Sequence, residues 1–509
     1  MKDWVLHPFF LGALPILILW AQNLDEQVPL LDAIRVLALV LGAVALLMVL
    51  GIVLFRRPRK IAIVVSAWIA LFFSFGYVWG GALGGEALAA GSPSPLAPIL
   101  WVGLAVLAIV LAARMGRSIV PLTRWLNLVS AVLVVVNLFP IVTYDAGEVP
   151  QAVDAFPTEE PSPGEERRPD IYYLIFDRYG RQDTLAETFT FDNGPFLRGL
   201  SDRGFFVATR SVANYPKTSH SLAASLNMRY LDFLSGEAKG SSLAPTYELI
   251  RQSEVVDFLK GQGYRFVLVG SGWSPTNTSP MADTVWKYEA GSEFSSALFG
   301  TTILEGVGEE LGPVSRQLNA RTVKWHRTLF QFDRLAKSRD LPGPKFVLAH
   351  FLLPHGPYVF DREGRFVNAE EESTRDWRDL YTEQLMFTNR RINELLDHIL
   401  SGPDESDPIV ILQADEGPHP EELVGNPDSF LWDEASDEDL RLKFRIFNAY
   451  YLSGGRSERL YPSITPVNSF RVLLNEYFGL HMALLPDRSF TFPDYEHLYD
   501  FTDVTPRVG

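Results

Sequence analysis

The sequence predicts a membrane bundle of about five helices, joined by a short tether to an α/β domain whose mostly parallel sheet is covered on both faces. Three observations carry this. Five apolar runs fill residues 1–144, a stretch rich in Pro and acidic residues follows, and from Ile171 onward short β-branched or aromatic runs alternate with helical patterns. The chain has 509 residues, too many for one ordinary domain, and 47% of them are apolar, which is high for a wholly soluble protein.

The apolar runs are Leu6 to Ala21, Val36 to Phe55, Ile61 to Leu83, Ala97 to Ala113 and Ile119 to Val142. Each approaches the length needed to cross about 30 Å of hydrocarbon. The first could be mistaken for a signal peptide, but further spans follow it and no small-residue cleavage site intervenes. RRPRK, Arg56 to Lys60, separates the second and third runs, and Arg114, Arg117 and Arg124 flank the fourth connection; the other connections are acidic or nearly neutral. Positively charged loops stay cytoplasmic, so an odd number of spans puts the N-terminus inside and everything after Tyr144 outside, in the periplasm or exterior. The spans carry almost no polar side chains, which argues for an anchor rather than an ion pathway.

Residues 145–168 have the composition of an extended tether, and 169–509 form the outer domain. There, IYYLIF, FFVATR, VVDFLK, RFVLVG, KFVLAH and IVILQ alternate with helical patterns near Pro195 to Asp202, after Thr218, near Val314 to Ala336 and near Trp377 to Ile399. Ligands of such sheets lie beyond the strand C-termini, and Asp177, His350 and Asp415 stand at three of those ends. Composition excludes other chemistries. A net charge of −16 without a basic patch argues against a nucleic-acid partner, and the absence of cysteine removes disulfides, thiolate metal sites, a cysteine nucleophile and a cysteine-derived formylglycine.

Asp177, followed by RYGR, reads either as a hard-cation ligand or as a turn-starting Asp. Asp415 and Glu416 are adjacent anions beyond a buried strand, and they repel unless a cation or solvent offsets them. Thr218 lies in NYPKTSHSLAASLN (Asn214 to Asn227), where loop becomes helix. It is either an N-cap or a hydroxyl facing a phosphate at the positive helix end, activated by a divalent metal. His350 and His355 bracket AHFLLPHGPY: His350 is structural or a substrate contact, and His355 contacts phosphate or protonates a leaving group. Lys217 is placed with them as a charge stabiliser, and Asn214 and His220 are assigned to substrate contact. His326, His398, His419, His481 and His497 are read as structural, His419 being the one nearest the acidic pair.

In this order and spacing the motifs resemble the alkaline phosphatase and sulfatase superfamily, in particular its membrane-anchored branch of lipoteichoic acid synthases and phosphoethanolamine transferases. KTSHS is similar to the KTSDS of the lipoteichoic acid synthases. The resemblance implies a sulfatase-like α/β sandwich in which Asp177, Thr218 and Asp415 hold a divalent metal and Thr218 is the nucleophile. The family's usual His after the later Asp is Glu416 here, which implies an all-oxygen shell of Asp177, Thr218, Asp415 and Glu416. Such a shell suits manganese, with zinc or magnesium also tolerated. The Pro and Arg that follow a formylglycine-type sulfatase nucleophile are missing around Ser219, Ser221, Leu222 and Ala223.

The implied function is a phosphotransferase that moves a phospho-substituent from a membrane phospholipid donor to an envelope lipid or glycan. Two alternatives stay open: a phosphodiesterase or phosphatase using the same site with water as acceptor, and an inactive sulfatase-like scaffold in envelope polysaccharide assembly.

Overall fold

A computed structural model of the chain describes residues 4–24, 26, 30–79, 96–144, 168–236, 240–305, 311–401, 407–421, 423 and 430–509. The expected tether lies outside these residues except for Arg168, as does the end of the expected third span beyond Trp79. The chain divides into two compact units. One joins Met1–Ala146 to Glu289–Val323, and the other joins Gly147–Tyr288 to Lys324–Gly509.

In the first unit the apolar runs form helices α1 (His7–Gln22), α2 (Leu30–Phe55), α3 (Pro58–Trp79), α4 (Leu96–Arg114) and α5 (Ile119–Thr143). By length and composition α2, α3 and α5 can cross a membrane, while α1 and the apolar part of α4 are shorter. Arg56, in the left-handed region at φ 53°, turns the chain between α2 and α3. Side chains such as Leu39, Val53 and Phe139 are mostly exposed on these helices, as suits segments whose solvent is lipid. With no hydrophobic drive between helices in lipid, polar contacts hold them: Asn127 of α5 accepts the N–H of Leu6 (3.0 Å) and of His7 (2.8 Å) at the start of α1, and His7 Nδ1 lies 2.6 Å from the Ser66 hydroxyl of α3.

The sequence assigns Glu289–Val323 to the outer domain, yet this segment groups with the helices. It contains the helix Glu293–Gly300, begun by Ser292, whose side chain accepts the Ser295 N–H. Phe294 and Leu298, one turn apart, are buried against side chains of α1, α2 and α3.

The second unit is built on a seven-stranded sheet. Its strands are β1 (Ile171–Phe176), β2 (Phe206–Val207), β3 (Arg265–Val269), β4 (Thr284–Trp286), β5 (Lys345–Phe351), β6 (Ile409–Gln413) and β7 (Asn448–Tyr451), in the order β2-β7-β6-β1-β5-β3-β4. β6, β1, β5, β3 and β4 run parallel, and β7 is antiparallel to both of its neighbours. All six residues of β1 are buried, as a central strand with both faces covered requires. Phe351 stacks on Phe176 at 5.2 Å and on Phe332 of the helix Ala320–Ser338 at 4.4 Å, which joins sheet to helix layer.

Most expected elements are present, with physical reasons for the exceptions. VVDFLK lies in the helix Glu254–Gly261 because Ser253 caps it, its side chain accepting the Val256 N–H. The long helix expected near Val314 to Ala336 is two helices, Ser315–Leu318 and Ala320–Ser338, parted by extended backbone at Asn319. β4 and β7 escape the sequence pattern because three and four residues are too few to show a period.

Register decides where the site lies. Ile175 of β1 sits opposite His350 of β5 and Gln413 of β6, so Asp177, His350 and Asp415 fall at one edge, beyond the C-terminal ends of three adjacent parallel strands with β1 in the middle.

Candidate metal and phosphoryl-transfer site

Asp177 follows β1 while its backbone N–H still bonds the Phe351 carbonyl at 3.0 Å; Arg178 then turns away at φ 63°. Asp415 follows β6, and His350 is inside β5. One ligand atom from each of these three buried residues lies within 4.8 Å of the others. Asp177 Oδ1, both carboxyl oxygens of Asp415 and His350 Nε2 have no hydrogen-bond partner. Four unsatisfied polar atoms converging in a buried place are costly unless a cation satisfies them, so the residues fit a divalent metal.

The electrostatics point the same way. Burial, then the Asp415 charge, pushes the Asp177 carboxyl well above its ordinary range. Burial and Glu416 push Asp415 up to about 7, against the Thr218 hydroxyl and Lys443. Two carboxyls that ionise reluctantly together are stabilised by positive charge placed between them. Burial, with Arg327, lowers His350 to about 3, so its imidazole is neutral, the form that binds metal. Its Nδ1 is 3.0 Å from the Thr276 hydroxyl, which leaves Nε2 for the cluster.

Thr218 is the first residue of the helix Thr218–Asn227 and Lys217, with extended backbone, precedes it. The Ser221 hydroxyl donates to the Asp415 carbonyl at 2.6 Å and so pins the first helical turn to the end of β6. This brings the Thr218 hydroxyl near the Asp415 carboxyl, outside hydrogen-bond geometry but close enough to favour the ionised form. The helix N-terminus adds partial positive charge at the same place.

Glu416 departs from the expected shell. Its Oε1 is 2.6 Å from Lys443 Nζ and 3.4 Å from Arg178 Nε, while its charge is felt by both Asp177 and Asp415. Lys443 is fully buried; burial lowers it to about 8 against the pull of Glu416. It also donates to His419 Nδ1 at 2.7 Å. Among the described residues the imidazole of His350 thus converges with Asp177 and Asp415, while the Glu416 carboxylate is paired with an internal cation.

His355 does reach the site: its Nε2 is 4.0 Å from Asp177 Oδ2, and its backbone N–H donates to the Asp177 carbonyl at 3.3 Å. Burial, with Arg178 and Lys324, lowers it well below its ordinary value, so it is a neutral imidazole rather than a standing acid. Buried Lys324 fixes this loop, donating to the carbonyls of His355 and, at 3.0 Å, Pro357. Lys217 lies over the Tyr495 ring at 4.6 Å, and its charge reaches His419.

Two residues assigned to substrate contact, His220 and Asn214, are engaged inside the protein. His220 is enclosed by Phe492, Tyr499 and Phe501, with Nε2 3.0 Å from the Leu498 carbonyl and Nδ1 3.1 Å from the Ser219 hydroxyl, so both ring nitrogens are used internally. Asn214 is fully buried; it donates to the Arg488 carbonyl and accepts the Val467 N–H. Both hold the Thr218 loop in place.

Sequence reasoning passed over Arg178, Lys324 and Lys443, and read His419 as structural. Lys443 left a signal: with Leu440 and Phe444 it occupies the buried i, i+3, i+4 face of the helix Asp437–Phe444, where an apolar residue belongs.

No curated protein matches the chain in sequence. Among solved structures, the C-terminal periplasmic domain of EcEptC from Escherichia coli is similar at 15% identity, covering 68% of this chain and 94% of that one, with a TM-score of 0.43. Lipooligosaccharide phosphoethanolamine transferase A (EptA) from Neisseria meningitidis, an integral membrane protein, is similar at 11% identity, covering 92% and 95%, with a TM-score of 0.41. The phosphonate monoester hydrolase of Agrobacterium radiobacter is similar at 13% identity, covering 64% and 80%, with a TM-score of 0.40. The sulfatase family model matches residues 169–470, more than half of the chain and the whole stretch from before β1 to the helix Pro466–Phe478. With the strand order and the three converging strand ends described above, that match makes the chain a member of the sulfatase family of enzymes.

Proposed function

We propose that this protein is a membrane-anchored, metal-dependent phosphotransferase in which Thr218 carries the phospho-substituent between a phospholipid donor and an envelope lipid or glycan. The observation that supports it is the set of unsatisfied buried atoms on Asp177, His350 and Asp415 beside a helix that begins with a hydroxyl.

Asp177, Asp415 and His350 would hold the metal, with Thr218 beside it. When bound, a divalent ion supplies Lewis-acid stabilisation of a threonine alkoxide and of charge on the phosphoryl oxygens. A shell of two carboxylates and an imidazole is compatible with zinc as well as manganese. Thr218 Oγ1 attacks phosphorus; a P–O bond to Thr218 forms, and the bond to the donor's lipid oxygen breaks. The Thr218 proton passes to a neighbouring base and a proton returns to the lipid alkoxide. An acceptor hydroxyl then displaces Thr218 by the reverse chemistry. His355, held neutral, orients and accepts protons rather than giving them, while Lys217, Arg178 and Lys443 place positive charge around the transferring group. With water as acceptor, the same residues give a hydrolase.

The anchoring helices keep such an enzyme beside a donor whose alkyl chains stay in the bilayer. The proposed arrangement is a bacterial cytoplasmic membrane crossed several times, the Arg-rich turns inside and the catalytic unit outside.

Incubating the purified full-length protein with a phospholipid labelled in its headgroup tests this. Mass spectrometry is expected to find the label on Thr218, and Thr218→Ala to lose both the adduct and turnover. Label released only as free headgroup assigns hydrolysis, and an unmodified threonine in an active enzyme overturns the proposal.

A further inference from the structure

Glu289–Val323 interrupts the catalytic fold between β4 and the later turns of the helix Ala320–Ser338, whose first turn it includes, and it belongs to the same compact unit as the membrane helices. Two observations show a built interface within that unit. Phe294 and Leu298 are buried with Ile16, Ala33, Ile69 and Phe73 of α1, α2 and α3. Just beyond, the Gly76 N–H of α3 donates to the Thr301 carbonyl at 2.9 Å, and the Phe72 carbonyl accepts the Ile303 N–H at 3.0 Å. An uninterrupted α-helix would pair those two groups of α3, residues i and i+4, with each other. Here both are also addressed by the incoming segment.

Gly76 makes the approach feasible. A Cβ at that position would lie 2.1 Å from the Gly300 carbonyl oxygen, so any side chain there excludes the segment. Ile303 then packs with Leu71, Phe75 and Trp101. Phe72 and Gly76 lie in the last turns of α3, the end away from RRPRK. Ala33, in the first turns of α2, likewise lies away from that loop. The segment therefore meets the bundle at the end opposite the Arg-rich turn.

We propose that Glu289–Val323 is a docking element that ties the catalytic unit to the chain's own helices α1–α3, independently of the covalent connection after Ala146. Its partner is the Phe72–Gly76 rung of α3 together with the apolar surface of α1 and α2, rather than lipid. The proposal stands whether or not the site transfers phosphate.

The test uses the full-length protein in detergent, with an affinity tag on the N-terminus and a protease recognition sequence inserted after Ala146. After complete cleavage, the fragment beginning at residue 147 is expected to stay with the tagged helices. Gly76→Val, outside the catalytic unit, is expected to release it with its thermal transition unchanged, and Phe294→Glu with Leu298→Glu to release it as well. Release of the wild-type fragment on cleavage overturns the proposal, including the case in which that fragment then binds liposomes, which would make lipid the partner. Full retention by Gly76→Val overturns it too.

Discussion

Glu416 and Lys443 set the character of the site. A carboxylate beside Asp415 invites assignment to the metal, and here a fully buried ammonium lies 2.6 Å from it. Asp177→Asn and Asp415→Asn are therefore expected to weaken divalent-metal binding by about 100-fold or more, while Glu416→Gln stays within the roughly 10-fold of a residue that only orients ligands. Calorimetric titration of the metal-stripped protein with manganese and zinc measures both; equal losses would return Glu416 to the shell. Lys443→Met strands the Glu416 charge, with Arg178 as a partial partner at 3.4 Å, and is expected to cost about 3 kcal/mol by denaturant unfolding. The places of Asp177, Thr218 and Asp415 in the fold were legible in the sequence because each follows or begins an element whose pattern is plain. The sequence shows His350 as a strand-end imidazole without showing that its Nδ1 lies beside the Thr276 hydroxyl, at 3.0 Å. The pairing of Lys443 with Glu416 was hidden because the two are 27 positions apart and only the fold joins them.

Among the elements, the helix Gln182–Phe189 follows the Asp177 turn and is held by charge at its start. Arg181 bonds both oxygens of Asp183, at 2.7 and 2.6 Å, and Arg445 reaches Asp183 Oδ2 at 3.1 Å. Burial raises the Asp183 carboxyl, but the two guanidiniums outweigh it and hold it below its ordinary value. A depressed folded-state value adds stability above the unfolded carboxyl value, near 3.9, and the contribution is lost as pH falls below it. Asp183→Asn is thus expected to lower the melting temperature at pH 7 and to approach the wild type near pH 3; an equal gap at both would show that charge is not the cause. The periodic elements were readable along the whole outer domain. Those that were missed, β4, β7 and the break at Asn319, are short pieces fixed by neighbours rather than by their own pattern.

For the whole molecule, membrane sidedness is the testable quantity. The chain lacks cysteine, so single substitutions report without background. Ser118 and Ser401 are both exposed. Ser401→Cys is expected to react with an impermeant maleimide in intact spheroplasts, and Ser118→Cys only after lysis; the reverse pattern would invert the topology. The bundle and the sheet class followed from composition and alternation. The grouping of Glu289–Val323 with the helices did not, because a short amphipathic stretch carries no mark of what it covers.

That grouping bears on how the protein is made. The chain passes from one compact unit to the other three times, after Ala146, Tyr288 and Val323. Helices α1–α3 leave the ribosome well before residue 289, so the surface that receives Phe294 and Ile303 can be assembled before its guest is synthesised. β5 and β6, which bring His350 and Asp415, come later still. Biogenesis would then run as a relay: anchor first, clasp second, and active centre last.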